Sequence, residues 1–125
     1  MSLDVCLQGS LTYKSCSCPR CGNEHYHDVT EEVFEANTTH NLIPMADAAG
    51  IYEVLWIPEE IGITHARQLI EPLRAGLARL RASPEHFAQF NAPNGWGQYQ
   101  NFVPWVAAYL EACEASPDAT VTVSR

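Results

Sequence analysis

The chain has 125 residues, which is one domain by length, and its apolar content of 46% suits a globular protein with a true core. Seven basic against 15 acidic residues give a net charge of −8. That balance argues against a nucleic-acid partner, because phosphate binding needs clustered Lys and Arg. No apolar run approaches the ~18 residues of a membrane span. The opening Met-Ser-Leu-Asp-Val lacks the basic-then-apolar layout of a signal peptide, so a cytoplasmic location is expected.

In chain order, Leu3 to Tyr13 alternates loosely and predicts a first strand, bulged or bent at Gly9-Ser10. Tyr26 to Ala36 predicts a second, with Val29, Val33 and Phe34 apolar. The cysteine-rich segment between them is then the loop of a hairpin. Asn41 is the expected N-cap of a short helix with Pro44 in its first turn, ending near Gly50. Ile51 to Ile57 is apolar and stops at Pro58, followed by a connector through Gly62.

Thr64 is the expected cap of the strongest helix, His65 to Ala82, whose Ala66, Leu69, Ile70, Leu73, Leu77 and Leu80 recur at helical spacing. Pro72 and Gly76 weaken it unless the helix bends or starts later. Ser83-Pro84-Glu85 opens a short helix through Phe87 and Phe90, and residues 91–97 form a loop. A last amphipathic helix carries Tyr99, Phe102, Val106, Leu110 and Cys113, with Asn101 as its cap and Pro104 in its first turn. Ala119 to Ser124 alternates as a half-buried strand. The expected fold is α+β: a single domain over residues 1–125, with a small antiparallel sheet made of the N-terminal hairpin and the C-terminal strand, covered on one face by three to four helices.

Five cysteines, three of them within Cys16-Ser-Cys18-Pro-Arg-Cys21-Gly22, do not form a secreted disulfide framework. In a reducing compartment such spacing points to metal. A C-x-x-C turn lets two thiolates reach one ion, and Zn²⁺ takes four N or S ligands tetrahedrally. Cys18 and Cys21 supply two, and Cys16, His25 and His27 offer three more. The preferred set is Cys16, Cys18 and Cys21 with His25 or His27; the other is Cys18, Cys21, His25 and His27. Residues 16–27 thus read as a zinc-knuckle-like loop carrying structural zinc. Spare thiols or C-x-x-C redox chemistry are the competing readings. With only three protein ligands, a catalytic ion returns.

Asn37-Thr38-Thr39-His40-Asn41 lies where a strand hands over to a helix, a junction whose backbone N–H groups suit an anion or a polar ligand. Asn and Thr are equally the residues of caps and turns. His40 has the chemistry of an acid or base near neutral pH. In Asn94-Gly-Trp-Gly97 the tryptophan exceeds what a turn requires. It serves either as a pocket cap or stacking platform, or as a plug of the core. Asn37, Thr39, His40, Asn41, Asn94 and Trp96 are therefore the candidate ligand-binding residues. Trp56, Trp105, Tyr52 and Tyr99 read as core or rim. Arg67, Arg74 and Arg81, spaced by seven with Arg79 beside them, are expected to form a solvated flank paired with Glu71 rather than a phosphate site. No P-loop, dinucleotide, serine-hydrolase or zinc-protease motif is present, and no catalytic residue is assigned.

The run Ala36-Asn-Thr-Thr-His-Asn-Leu42, then Met45-Ala46, Ala49-Gly-Ile-Tyr52, Leu55-Trp56, Pro58-Glu59-Glu60, Asn94-Gly-Trp-Gly97 and Pro117-Asp118 with a valine-rich end, resembles a family of small uncharacterised proteins from bacteria and their phages. The resemblance covers roughly residue 16 onward. It implies a phage or prophage origin and no particular activity. The expected function is that of a small acidic, non-enzymatic binding or regulatory protein, its polar pocket taking a small polar molecule or a host protein. The alternatives are a metal-dependent hydrolase or transferase using His40 as base, and a pure protein–protein adaptor.

Overall fold

A computed structural model describes the backbone of residues 2–17 and 24–125, and the side chains of residues 2–9 and 32–125. It is an α+β fold. Strands β1 (Ser2–Ser17), β2 (Glu24–Thr39) and β3 (Thr120–Ser124) form an antiparallel sheet in the order β2-β1-β3. Between β2 and β3 run α1 (Ile43–Ala48), α2 (Tyr52–Trp56), α3 (Arg67–Ala82), α4 (Pro84–Ala88) and α5 (Tyr99–Ala115), with 3₁₀ turns at His40–Leu42 and Pro58–Ile61.

Alternation along β1 sorts the two faces of the sheet. Leu3, Val5 and Leu7 are fully buried, while Asp4, Cys6 and Gln8 between them are only partly so. Each buried aliphatic side chain contributes about 1.5–3 kcal/mol. Phe34, Ala36, Val121 and Val123 pack against the same core, and the Phe34 ring stacks on Tyr109 of α5 at 5.7 Å. Helices α3 and α5 pack together over this face through Leu69, Leu73, Leu77 and Leu80 on one side and Phe102, Val106 and Cys113 on the other. Gly76 is the one position in α3 where a side chain has no room. A β-carbon there would overlap Ile51 Cγ2, so the glycine lets the helix close on the segment after α1. Arg79 of α3 adds a bond to the Ala49 carbonyl at 2.7 Å, satisfying the end of α1.

The helix starts differ from the sequence expectation. Helix α3 begins at Arg67, with no side-chain cap on Ala66, and Thr64 does not cap it. Gln68 reaches back instead, its Oε1 accepting from Thr64 N at 2.8 Å and His65 N at 3.0 Å. This releases residues 64–65 to meet β3: Val121 N donates to the Thr64 carbonyl, and His65 bridges Thr120. Helix α5 starts at Tyr99 after Gln98, so Asn101 is inside it and Pro104 lies beyond the first turn. Its first amide donates to Asn91 Oδ1 at 2.6 Å, a cap supplied from the preceding loop. Each proline costs its helix a backbone bond, yet both helices run through, with buried residues on either side of the proline.

The two long strands overshoot the rest of the sheet. β3 pairs with Asp4–Gln8 only, whereas β1 and β2 remain paired out to Ser17 and Glu24. The register shifts between Lys14 and Cys16, which leaves Ser15 of β1 unpaired with β2, and also between Leu7 and Gln8, where Leu7 faces Phe34 and Gln8 faces Glu32. The extra residue at the latter is therefore Val33 on β2, not Gly9-Ser10 on β1 as the sequence suggested. A bulge bends and twists the strand that carries it, so the hairpin turns where its third strand ends. No helix among the described residues is long and apolar enough to cross a membrane.

Candidate functional site

The six residues singled out as ligand-binding line one cleft of about 490 Å³: Asn37, Thr39, His40, Asn41, Asn94 and Trp96. Ser2 completes it, brought there by the register that pairs it with Thr39. The volume falls in the usual range of small-ligand sites, roughly 300–1,000 Å³. Two segments more than fifty residues apart build this cleft, and specific bonds fix them together.

The strand end is organised by Thr39. Its Oγ1 accepts from Asn41 N at 3.2 Å and caps the 3₁₀ turn. Asn41, expected as the cap, is thereby free to cross the cleft, and its Nδ2 donates to the Trp96 carbonyl at 2.8 Å. On the loop side, Asn94 Oδ1 accepts from Trp96 N at 2.9 Å, a local turn of the kind Asn favours. Ala92 N donates to the Gly97 carbonyl and Gln98 Nε2 to the Ala92 carbonyl, closing the loop on itself. Gly97 is required twice over. Its φ is +111°, and a β-carbon would stand 2.9 Å from Asn41 Cβ and 3.3 Å from Thr39 Cγ2.

Asn37 is held from both sides. Its Nδ2 donates to Asp4 Oδ1 at 2.6 Å, and its carbonyl accepts from Trp105 Nε1 at 3.0 Å, which ties α5 to the end of β2. His40 meets Trp56 edge to face at 6.3 Å. His40 Nε2 and Trp56 Nε1 are both buried without a hydrogen-bond partner among the described residues. The imidazole thus presents its Nε2 to the interior rather than to the open cleft. Trp96 is 70% exposed, which rules out the core-plug reading, whereas Trp56 is buried and Trp105, Tyr52 and Tyr99 are half-buried.

Among the described residues no Lys, Arg, Asp or Glu lines the cleft. Farther along the outer face of the sheet the character is acidic. There the Glu35 carboxyl titrates above its ordinary value because it shares a hydrogen bond with Glu32 and is repelled by it and by Asp4. The arginine flank of α3 is engaged as ordinary surface pairs. Arg67 meets Asp118 at 3.0 Å and Arg74 meets Glu71 at 2.9 Å, so Glu71 serves the second arginine and not the first.

Of the candidate metal ligands, Cys18 and Cys21 lie outside the described residues. Cys16, His25 and His27 are described in backbone only, where Cys16 stands opposite His25 and His27 opposite Tyr13. Among the described side chains no cluster of three or more His, Cys, Asp or Glu is placed to hold a metal. The Cys16–His25 pair and the cleft sit at opposite ends of the β1–β2 pairing, roughly 50 Å apart measured along the strand at about 3.3 Å per residue. The cleft's shape is set locally by Gly97, Asn41 and Asn94.

Sequence reading missed Ser2, Asp4 and Trp105. Ser2 carries no motif and reaches the cleft only through strand register. Asp4 and Trp105 act through Asn37, by contacts that no local spacing encodes. Comparison with family models, curated proteins and solved structures finds no match to this chain.

Proposed function

We propose that this chain is a non-enzymatic binding protein whose cleft holds a small polar molecule, or a polar group of a partner, against Trp96. The observation that carries the reading is the Asn41–Trp96 bond at 2.8 Å, which joins the polar strand end to an exposed tryptophan across a cleft of ligand size. A large aromatic ring held in solvent has no packing role there. His40 supplies the one imidazole among the described lining residues, and its Nε2 is turned inward against Trp56. That supports binding over acid–base chemistry. Binding measured with His40→Ala and Trp96→Ala tests the reading. Loss of binding with Trp96→Ala alone fits it, and unchanged binding with both variants argues for the adaptor.

The same proposal includes a structural zinc at the far end of the hairpin, held by Cys16, Cys18 and Cys21 with His25 or His27. Two features support it. The register sets Cys16 and His25 directly across from each other, at a Cα spacing of roughly 5 Å, and the C-x-x-C of Cys18 and Cys21 follows in the sequence. The ribbon beyond Gln8 has two paired strands where the body of the sheet has three, and such a ribbon gains little stability alone in water. An ion gripping its tip would cross-link it. Metal analysis of the purified protein tests this, with one zinc per chain expected.

A further inference from the structure

We infer that the cleft takes an uncharged saccharide, with a pyranose ring laid on Trp96 and its hydroxyls turned to Asn37, Asn41 and Asn94. This rests on the cleft being a ligand site at all, and three observations narrow the class.

The first is charge. An anionic ligand would find no Lys or Arg among the described lining residues. A cationic ligand would find no carboxylate in the lining either. The ligand's own polarity must then come from neutral donors and acceptors.

The second is the hydrogen-bonding capacity left after the cleft has built itself. Asn94 spends its Oδ1 on Trp96 N, which leaves its Nδ2 to donate. Asn41 spends its Nδ2 on the Trp96 carbonyl, which leaves its Oδ1 to accept. Asn37 gives its Nδ2 to Asp4 and likewise keeps an acceptor, while Thr39 Oγ1 accepts from Asn41 N and keeps its O–H to donate. The remaining set mixes donors with acceptors and comes from two distant segments: the strand end with its 3₁₀ turn, and the loop. A hydroxyl both donates and accepts, and the hydroxyls of a sugar are distributed around a ring. A nucleobase offers one planar edge with a fixed pattern, which suits this scattered set less well.

The third is the ring itself. Trp96 is 70% exposed, and its chain is pinned on both sides, at its N by Asn94 and at its carbonyl by Asn41. The face of an aromatic ring is electron-rich. The C–H bonds on one side of a pyranose present weak positive charge over a flat apolar surface, and they match that face.

Calorimetry and saturation-transfer NMR on the full chain test this with methyl glycosides of glucose, galactose, mannose and N-acetylglucosamine, with glucuronate, and with adenosine and uridine, each at up to about 10 mM. At least one neutral glycoside is expected to bind. Glucuronate should bind no better than its neutral parent. Trp96→Ala should weaken binding roughly tenfold or more and Trp96→Phe should keep most of it. Trp96 is exposed, so Trp96→Ala should keep the circular dichroism of the parent. If a nucleoside or glucuronate binds in a Trp96-dependent way and no neutral glycoside does, the saccharide assignment is wrong and the ligand cleft stands. If no probe binds or perturbs Trp96, the saccharide assignment and the cleft reading fail together.

Discussion

Gly97 and Asn41 approach so closely that a β-carbon on the glycine would stand 2.9 Å from Asn41 Cβ, and the glycine's φ of +111° is one that L side chains rarely adopt. The tryptophan loop is thus locked to the end of β2 by backbone geometry as well as by the Asn41–Trp96 bond. Gly97→Ala should cost about 2 kcal/mol in chemical denaturation, from the positive φ and the contact together. It should also shift the amide resonances of Thr39 and Asn41. Ala at position 95, where φ is also positive but a β-carbon meets nothing within 4 Å, should cost less.

Asn41→Ala removes the one side-chain bond across the cleft while leaving Thr39 to cap the turn. Global stability should fall by only about 1 kcal/mol. Ligand affinity should fall further than stability, because the loop that presents Trp96 is no longer held. Thermal melts and calorimetry on the same variant separate the two effects; equal, small changes in both would mean that the loop is held by Gly97 alone.

How much of this was legible in the sequence depends on the range of the interaction. The α+β layout was readable from periodicity, since Leu3, Val5 and Leu7 alternate and the apolar positions of α3 repeat at helical spacing. The tryptophan of the cleft was readable too, because a tryptophan between glycines exceeds what a turn requires, whereas Asn37, Thr39 and Asn41 are of residue types that caps and turns equally explain. The caps were misread: Gln68 and Asn91 serve the starts of α3 and α5 in place of Thr64 and Asn101, and Thr39 caps the 3₁₀ turn in place of Asn41. The bulge was expected at Gly9-Ser10 because glycine marks bends in general, while the register slips at Val33 of β2 and Ser15 of β1 are set by pairing across strands. Ser2 reaches the cleft by that same pairing, which no local pattern records.

The Tyr109 ring is fully buried between Phe34 and Trp105, and its hydroxyl has no hydrogen-bond partner among the described residues. A buried hydroxyl left unpaired costs about 1–3 kcal/mol. Tyr109→Phe should therefore leave stability unchanged or raise it by about 1 kcal/mol, read from urea denaturation midpoints. A clear loss would mean that the hydroxyl is satisfied in solution.

Alkaline pH should destabilise the fold early. Burial pushes the Cys113 thiol up to about 12 from an ordinary 9.0, with Glu114 adding to the rise. Burial also raises the Tyr109 phenol well above its ordinary 10.0. Both groups keep their protons in the folded state at pH values where the unfolded chain loses them, so the unfolded state binds fewer protons and stability falls as pH rises. The stabilisation is complete below pH 9 and is lost from there to about 12 for Cys113, with Tyr109 joining above 10. Cys113→Ala should flatten the first part of that decline in a series of denaturation curves. An unchanged slope would show that the thiol is not the group responsible.

Chelation should separate the two ends of the hairpin. The core-forming part of β1, Leu3 to Leu7, is covered by β3 and the helices, while the pairing beyond Gln8 involves β1 and β2. Where the tip holds the proposed zinc, its removal should therefore unpair the hairpin tip and leave the helical core folded. Affinity at the cleft should change less than about twofold, since distant sites act independently. Collapse of the whole fold on chelation would mean that the tip supports the core by a route outside the described contacts.

The most direct measurement is an NMR titration of the full chain with neutral glycosides and nucleosides, following the Trp96 indole N–H and the side-chain amides of Asn37, Asn41 and Asn94. Binding in the cleft predicts that these signals move together, saturate with one affinity and stop moving in Trp96→Ala. Shifts confined to other surfaces, or none with any probe, would contradict a ligand site at the end of β2.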